Sequence, residues 1–321
     1  MKNTIPEKAL VALPDFRSSG AASFTPPGFK IVPPEEAFVP AFDRSFHFGD
    51  SIYEVTRTYE GILFALNEHL RRLKHSAKLG MYEKFPDTSH IVHMARETCR
   101  AFFRKFGNTD VYMRITVSRG QGDLNIDPQY ASDPYTLVFV KELDRPAKDF
   151  YEKGVHFAVV TRRRNAPAAL DPAMKSGNYL NNVLAIAEAS RLGAQDALML
   201  NLRGFVTEGT TNNFFAVKNG IVLTAPLSVG ILAGITRELV FEVCQNSGIE
   251  LQERLFTESE LGSCAEMFFT SSTKEVVPVT TLSARSVGDG RPGPITKRIH
   301  EGLKSAIRAY VEAHRSESLF A

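Results

Sequence analysis

Lys175 stands in PAMKSGNYLNNVLAIAEAS, residues 172–190, between a proline-rich loop and a run of helix-forming residues. A lysine held at such a junction is partly shielded from water. An ammonium shielded in that way gives up its proton more readily, which frees the amine to attack a carbonyl. Most lysines are solvated surface charges, so the position alone does not separate a nucleophile from an ordinary cation. Two other groups suit an anion. Arg72, in HLRRL, lies beside the apolar stripe of a predicted helix and can turn its fork inward, a geometry suited to phosphate, although a surface arginine reads the same. Gly234, Ile235 and Thr236 open another predicted helix, where backbone N–H groups and the positive end of the helix dipole meet; a plain N-cap role for Thr236 is compatible with that use.

The elements that carry these residues are legible from periodicity. FGDSIYEVTRTYEGILFAL reads as two strands joined at Glu60-Gly61. A period of two puts Tyr53, Val55 and Arg57 on one face and Ile52, Glu54 and Thr56 on the other. One face therefore groups an aromatic, a small apolar side chain and a cation, as a plain amphipathic strand also would. A helix capped by Asn67 and ended by Gly80 follows, with Leu70, Leu73 and Ala77 as its buried stripe. A second helix spans about residues 89–106. In the strand VYMRITVS, Val111, Met113, Ile115 and Val117 face the core, and Tyr112 and Arg114 point away from it.

Beyond a charged segment at 143–153, VHFAVV opens a second group of strands. DALMLN and GFVTEG read as a strand pair, and NFFAVKNGIVLTA as a hairpin turning at Asn219-Gly220. A helix capped by Thr236 turns Leu239, Val240 and Val243 inward and stops at Gly248. EMFFTSSTKEVVPVTTL runs a strand into a Ser/Thr-rich turn, and an amphipathic helix ends the chain. Residues 1–38, rich in Pro, Ser and Gly, read as an extension over the surface or against a partner subunit. The predicted division is an extension at 1–38, a small domain at 39–142, a linker at 143–153 and a large domain at 154–321.

Composition narrows the function classes. At 321 residues and 43% hydrophobic content the chain can bury a core of more than one domain. Its 38 basic and 36 acidic residues nearly cancel, which argues against nucleic-acid or membrane partners. The one basic cluster, TRRRN at 161–165, reads as a solvated loop. Three scattered cysteines form neither a disulfide framework nor a zinc site, the histidines lack metal-ligand spacing, and a reducing cytoplasm fits. The N-terminus has no long apolar core, so neither secretion nor membrane insertion is expected.

Five segments in order, HLRRL, the Lys175 stretch, GFVTEGTTNNFF, ILAGITREL and FFTSSTKEVVPV, resemble the signatures of the class IV (fold type IV) pyridoxal-phosphate aminotransferases, the family of branched-chain and D-amino-acid transaminases. The likeness covers roughly residues 40 to 315. It implies an α/β (α+β) fold of two domains, the larger with a β-barrel-like core, and pyridoxal 5′-phosphate as cofactor. It implies a homodimer whose substrates are an amino acid and a 2-oxo acid. Lys175 matches the Schiff-base lysine, Glu208 the partner of the pyridine nitrogen and Tyr179 the partner of the phenolic oxygen. Arg72, Ile235, Thr236, Ser272 and Thr273 match the phosphate ligands, Thr273 also facing substrate. Tyr53, Val55, Arg57, Tyr112 and Arg114 match the substrate pocket.

Within the family the substrate-side residues point in two directions. Tyr53, Arg57, Tyr112 and Arg114 resemble the branched-chain enzymes, whereas FHFGDSIYEV, with Val55, resembles the D-amino-acid enzymes. The Arg-x-His pair with which the D-specific enzymes grip a carboxylate should fall near Asp123 and Asn125, and an aspartate there repels a carboxylate. The expected function is therefore branched-chain L-amino-acid transamination. The alternatives are D-amino-acid transamination, (R)-selective amine transamination, 4-amino-4-deoxychorismate lyase activity or a non-catalytic cofactor-binding protein.

Overall fold

In a computed structural model, residues 5–16 and 28–320 are described. The chain divides into two compact units, Met1–Asp144 with Met174–Asn178 and Val311–Ala321, and Arg145–Ala173 with Tyr179–Tyr310. The first contains β1 (Ala9–Pro14), β2 (Phe29–Val32), α1 (Arg44–Phe48), β3 (Ser51–Tyr59), β4 (Ile62–Leu63), α2 (Leu66–Leu79), α3 (Thr88–Phe106), β5 (Val111–Ser118) and β6 (Tyr135–Glu142). Its strands form one antiparallel sheet in the order β2-β1-β6-β5-β3-β4.

The predicted alternation holds. Val111, Met113, Ile115 and Val117 are buried with Leu70, Leu73 and Ala77 of α2 and with Ile91, Met94 and Phe102 of α3 in one core. The expectation for residues 1–38 needs correction. Every residue of β1 is buried, and the strand lies inside the sheet between β2 and β6. The Pro, Ser and Gly richness belongs to its flanks, and the six-residue run ALVALP is an apolar strand that an average over the segment conceals. Residues 1–4 and 17–27 of that expected extension lie outside the described residues.

Helix α2 begins one residue before Asn67, with Ala65 as N-cap in the left-handed region and no side-chain cap, so Asn67 is inside the helix. The chain arrives there directly from β4, which leaves no room for an extended Asn67.

The second unit contains α4 (Lys148–Glu152), β7 (Val155–Arg163), α5 (Leu180–Arg191), β8 (Asp196–Leu200), β9 (Asn213–Lys218), β10 (Ile221–Thr224), α6 (Ile235–Asn246), β11 (Leu251–Glu253), α7 (Glu258–Leu261), β12 (Glu266–Ser271), β13 (Glu275–Leu282), β14 (Arg285–Ser286) and α8 (Pro294–Ala313). The strands build a mixed eight-stranded sheet, β11-β10-β9-β12-β13-β7-β8, with β14 on β13. The hairpin of β9 and β10 turns as predicted, with Asn219 and Gly220 both at positive φ. GFVTEG is not a continuous strand, but it folds back antiparallel on the end of β8 about Arg203-Gly204 as expected: the Asn201 N–H donates to Phe205, the Thr207 N–H to Met199 and the Met199 N–H to Glu208, with a bridge between Leu200 and Val206. Beyond that pairing the segment reaches other neighbours, the Val206 N–H donating to Phe256 and Glu208 bridging to Asn213. Among the described residues no helix is long and apolar enough to cross a membrane.

Candidate active site

In the first unit the site is built on β3. The register of β3 with β5 sets Tyr53 opposite Thr116, Val55 opposite Arg114 and Arg57 opposite Tyr112, so these six side chains share one face. The Arg114 guanidinium lies 3.7 Å from the centroid of the Tyr53 ring and donates from Nε to Thr116 Oγ1 at 3.1 Å. Arg57 is more committed. It is buried, its Nη2 is 3.5 Å from Asp110 Oδ2, and it stacks 3.9 Å from the Tyr59 ring. Val55, Tyr112 and Arg114 are half-buried.

Lys175 is pinned to the same strand. Its carbonyl accepts the Tyr53 N–H at 2.9 Å, and its own N–H donates to Ser76 Oγ of α2 at 3.1 Å. Nζ donates to the Tyr53 hydroxyl at 3.4 Å and lies 4.5 Å from that ring's centroid. The backbone of the segment is thus fixed at both sides, and the half-buried ammonium rests on an aromatic.

The opposite face of β3 carries Glu54, and α2 sets His69 against it; periodicity alone assigns neither a function. Glu54 is fully buried, and Arg72 reaches it from α2 with two hydrogen bonds, Nε to Oε1 at 2.8 Å and Nη2 to Oε2 at 2.7 Å. His69 Nδ1 meets Oε2 at 2.7 Å. Burial by itself would raise the Glu54 pKa, but the Arg72 charge, with hydrogen bonds from Arg72 and His69, holds it at about 2. Burial pushes His69 below its ordinary range, only partly opposed by Glu54. The carboxylate is therefore an acceptor, and His69 is a neutral ring that donates from Nδ1. The signal in the sequence was a carboxylate on the core face of a strand.

In the second unit Glu208 is the centre. It is buried, accepting from Arg164 Nε at 3.0 Å, from the Leu232 N–H at 3.1 Å and from Asn213 Nδ2 at 3.2 Å. Arg164 corrects the reading of TRRRN as wholly solvated: Arg162 and Arg163 are exposed, but Arg164, just past the end of β7, is buried. A run of like charges conceals the one member that the chain turns inward. Asn182 of α5 steadies this group, donating from Nδ2 to the Thr210 carbonyl at 2.6 Å. Tyr179 is the N-cap of that same helix.

Asn213 also ties Glu208 to α6. It donates to the Leu232 carbonyl at 2.9 Å, and a Cβ placed on Gly234 would collide with its Oδ1. Gly234, not Thr236, is the N-cap of α6, and it offers no side-chain cap. Thr236 is buried in the first turn. A glycine there lets the strand and the helix start approach closely, and the first-turn N–H groups of Ile235 and Thr236 receive no side-chain cap. The pairing of Thr270 with Asn213 brings the β12–β13 turn, with Ser272 and Thr273, to the same end of the sheet.

A buried carboxylate, an uncapped helix start and a hydroxyl-bearing turn at one sheet end form a set that suits an aromatic cation carrying a phosphate. The comparisons with known proteins decide the family. The amino-transferase class IV model matches residues 51–282. The chain belongs to the class IV aminotransferases. This aminotransferase is 32% identical over 276 residues to the branched-chain-amino-acid aminotransferase of Escherichia coli strain K12, covering 84% of this chain and 88% of that one. It is also 32% identical over 279 residues to the D-alanine aminotransferase of Bacillus licheniformis, covering 87% and 95%. The solved branched-chain amino acid aminotransferase of Thermobaculum terrenum, in its PLP-form, superimposes with a TM-score of 0.78 at 26% identity, over 97% of this chain and 97% of that one. The two-sheet α/β architecture of this aminotransferase is that of fold type IV.

Proposed function

We propose that this aminotransferase uses pyridoxal 5′-phosphate to move an amino group between a branched-chain L-amino acid and a 2-oxo acid, with L-glutamate and 2-oxoglutarate as the second pair. The residues fit the cofactor on the geometry of each unit. When bound, it supplies an aldehyde for the amine and a protonated ring that withdraws electrons from the substrate Cα. In this reading Lys175 Nζ would hold the cofactor, and the same amine, when free, would take the proton from the substrate Cα. Glu208 accepts from the ring nitrogen, and Tyr179 binds the phenolic oxygen. The Ile235 and Thr236 N–H groups, Arg72, Ser272 and Thr273 bind the phosphate. Tyr53, Val55, Arg57, Tyr112, Arg114 and Thr273 line the substrate side.

The observation that carries the substrate class is the β3 face itself. An aromatic ring lies against the Lys175 ammonium, with a guanidinium on the same ring and a valine opposite that arginine in the register. That suits an apolar side chain and a carboxylate together. Where a D-selective grip needs arginine and histidine, this chain has exposed Asp123 and Asn125. Val55 and the likeness to a D-alanine aminotransferase favour a second reading, D-amino-acid transamination. A panel of donors with 2-oxoglutarate separates the two. L-leucine, L-isoleucine and L-valine should react fastest, and turnover of D-alanine without L-leucine would overturn the assignment.

The same reading makes the protein a cytoplasmic homodimer. Phe38, Phe42, Phe46, Leu124 and Ile126 are exposed on two neighbouring segments that Arg44 ties together through the Asn125 and Ile126 carbonyls, and an apolar surface of this kind supports a partner copy. Light scattering tests it: a monomer mass would contradict it.

A further inference from the structure

His69 and Arg72 lie three residues apart on α2, so both side chains reach the same side of the helix, and both meet Glu54. Glu54 occupies a core position: its neighbours on that face of β3 are Ile52 and Thr56, and its exposure is 0%. An apolar residue there would avoid the desolvation of a carboxylate, so stability alone gives no reason for an acid. One turn beyond Arg72 on the same side of α2, Ser76 Oγ holds the backbone N–H of Lys175. Arg72 is thereby fixed on the helix face that also anchors the attachment lysine.

We propose that Glu54 is a positioning residue for the cofactor phosphate, holding the Arg72 guanidinium in its binding orientation before the phosphate arrives, with His69 as the third contact that orients the carboxylate. The inference rests on the reading that Arg72 binds the phosphate. Arginine has a long, rotamer-rich side chain, and a partner that fixes it in advance removes the ordering cost from binding. The bidentate contact leaves the fork a single orientation about Nε and Nη2, which a single hydrogen bond does not. Burial alone would favour the neutral acid, but the Arg72 charge and the hydrogen bonds from Arg72 and His69 keep the carboxylate an anion, so both sides of the clamp are charged.

The test compares full-length wild type, Glu54→Gln, Arg72→Met and the double variant, measuring affinity for pyridoxal 5′-phosphate and for pyridoxal, which lacks the phosphate. Glu54→Gln should weaken pyridoxal 5′-phosphate about 10-fold or more and leave pyridoxal within about 3-fold, and the double variant should bind no more weakly than Arg72→Met. Equal weakening of both ligands would mean that Glu54 serves only packing, and would overturn the proposal. If Arg72→Met weakens the phosphorylated form while Glu54→Gln matches wild type, positioning fails and the Arg72 reading stands. If Arg72→Met leaves both affinities unchanged, the phosphate reading itself fails, and the proposal with it. Should Glu54→Gln not fold, Glu54→Asp keeps the charge but draws it back by one methylene; a loss confined to the phosphorylated ligand supports the proposal, and an equal or absent loss overturns it.

Discussion

Arg164 donates from Nε to Glu208 Oε1 over 3.0 Å, with side-chain exposures of 8% and 6%. A permanent cation thus faces a buried carboxylate whose other oxygen is held by a backbone N–H and an asparagine. Breaking such a pair from one side strands a charge. Arg164→Met should destabilise the protein by about 3–5 kcal/mol, read from the denaturant midpoint, and Arg164→Met with Glu208→Gln should lose less than the two single changes summed. Strict additivity would show that the two side chains do not act on each other.

Arg114, stacked on Tyr53, hydrogen-bonded to Thr116 and half-buried, is held less tightly than buried Arg57 on the β3–β5 face proposed to meet substrate. Arg114→Met should raise KM for L-leucine by about 10-fold or more with a smaller change in kcat, as loss of ground-state binding requires. A fall in kcat at unchanged KM would place Arg114 in the chemistry rather than in binding.

Gly234 brings the start of α6 against Asn213 Oδ1. Gly234→Ala should therefore cost about 1–3 kcal/mol from overpacking and should weaken cofactor affinity, because the helix start must move. Equilibrium unfolding in urea checks the first and visible absorbance on titration the second; a variant as stable as wild type would show that the approach is loose.

The Glu54–His69 pair sets an acid limb. His69 is held below its ordinary 6.5 by burial, so as pH falls through 6.5 the unfolded chain takes up a proton that the folded one refuses, and stability drops. Glu54 acts in the same direction at lower pH: its stabilisation is complete above 4.5 and is lost between 4.5 and about 2. Thermal midpoints from pH 7 to 5 should fall for wild type and less steeply for His69→Asn, which keeps a donor toward Glu54. Parallel curves would exclude His69 as a source of that slope.

The periodic parts of the fold are legible in the sequence. The two faces of β3 and β5 and the β9–β10 hairpin follow from period and turn chemistry. What was not legible is what long-range packing decides. β1 is buried because β2 and β6 pair with its edges while the α2–α3 core covers Leu10 and Ala12 and Tyr135 and Leu137 pack with Val11 and Leu13, and nothing local in ALVALP says so. Arg164 is one of three consecutive arginines, and its partners, the Glu208 carboxylate with the Asn181 and Asn182 side chains, lie far along the chain. A period of two puts Glu54 on the core face, but its partners lie a helix away, at His69 and Arg72. Asn67 and Thr236 look like helix caps by type, yet Ala65 and Gly234 hold those positions, Gly234 because Asn213 lies against it.

Peptide mapping asks whether Lys175 is the residue that carries the cofactor. Borohydride treatment of the protein loaded with pyridoxal 5′-phosphate makes the lysine link permanent, and mass spectrometry then locates it. The cofactor mass should appear on the peptide containing Lys175 and vanish in Lys175→Ala. Labelling of another lysine, or equal labelling in Lys175→Ala, would contradict the account.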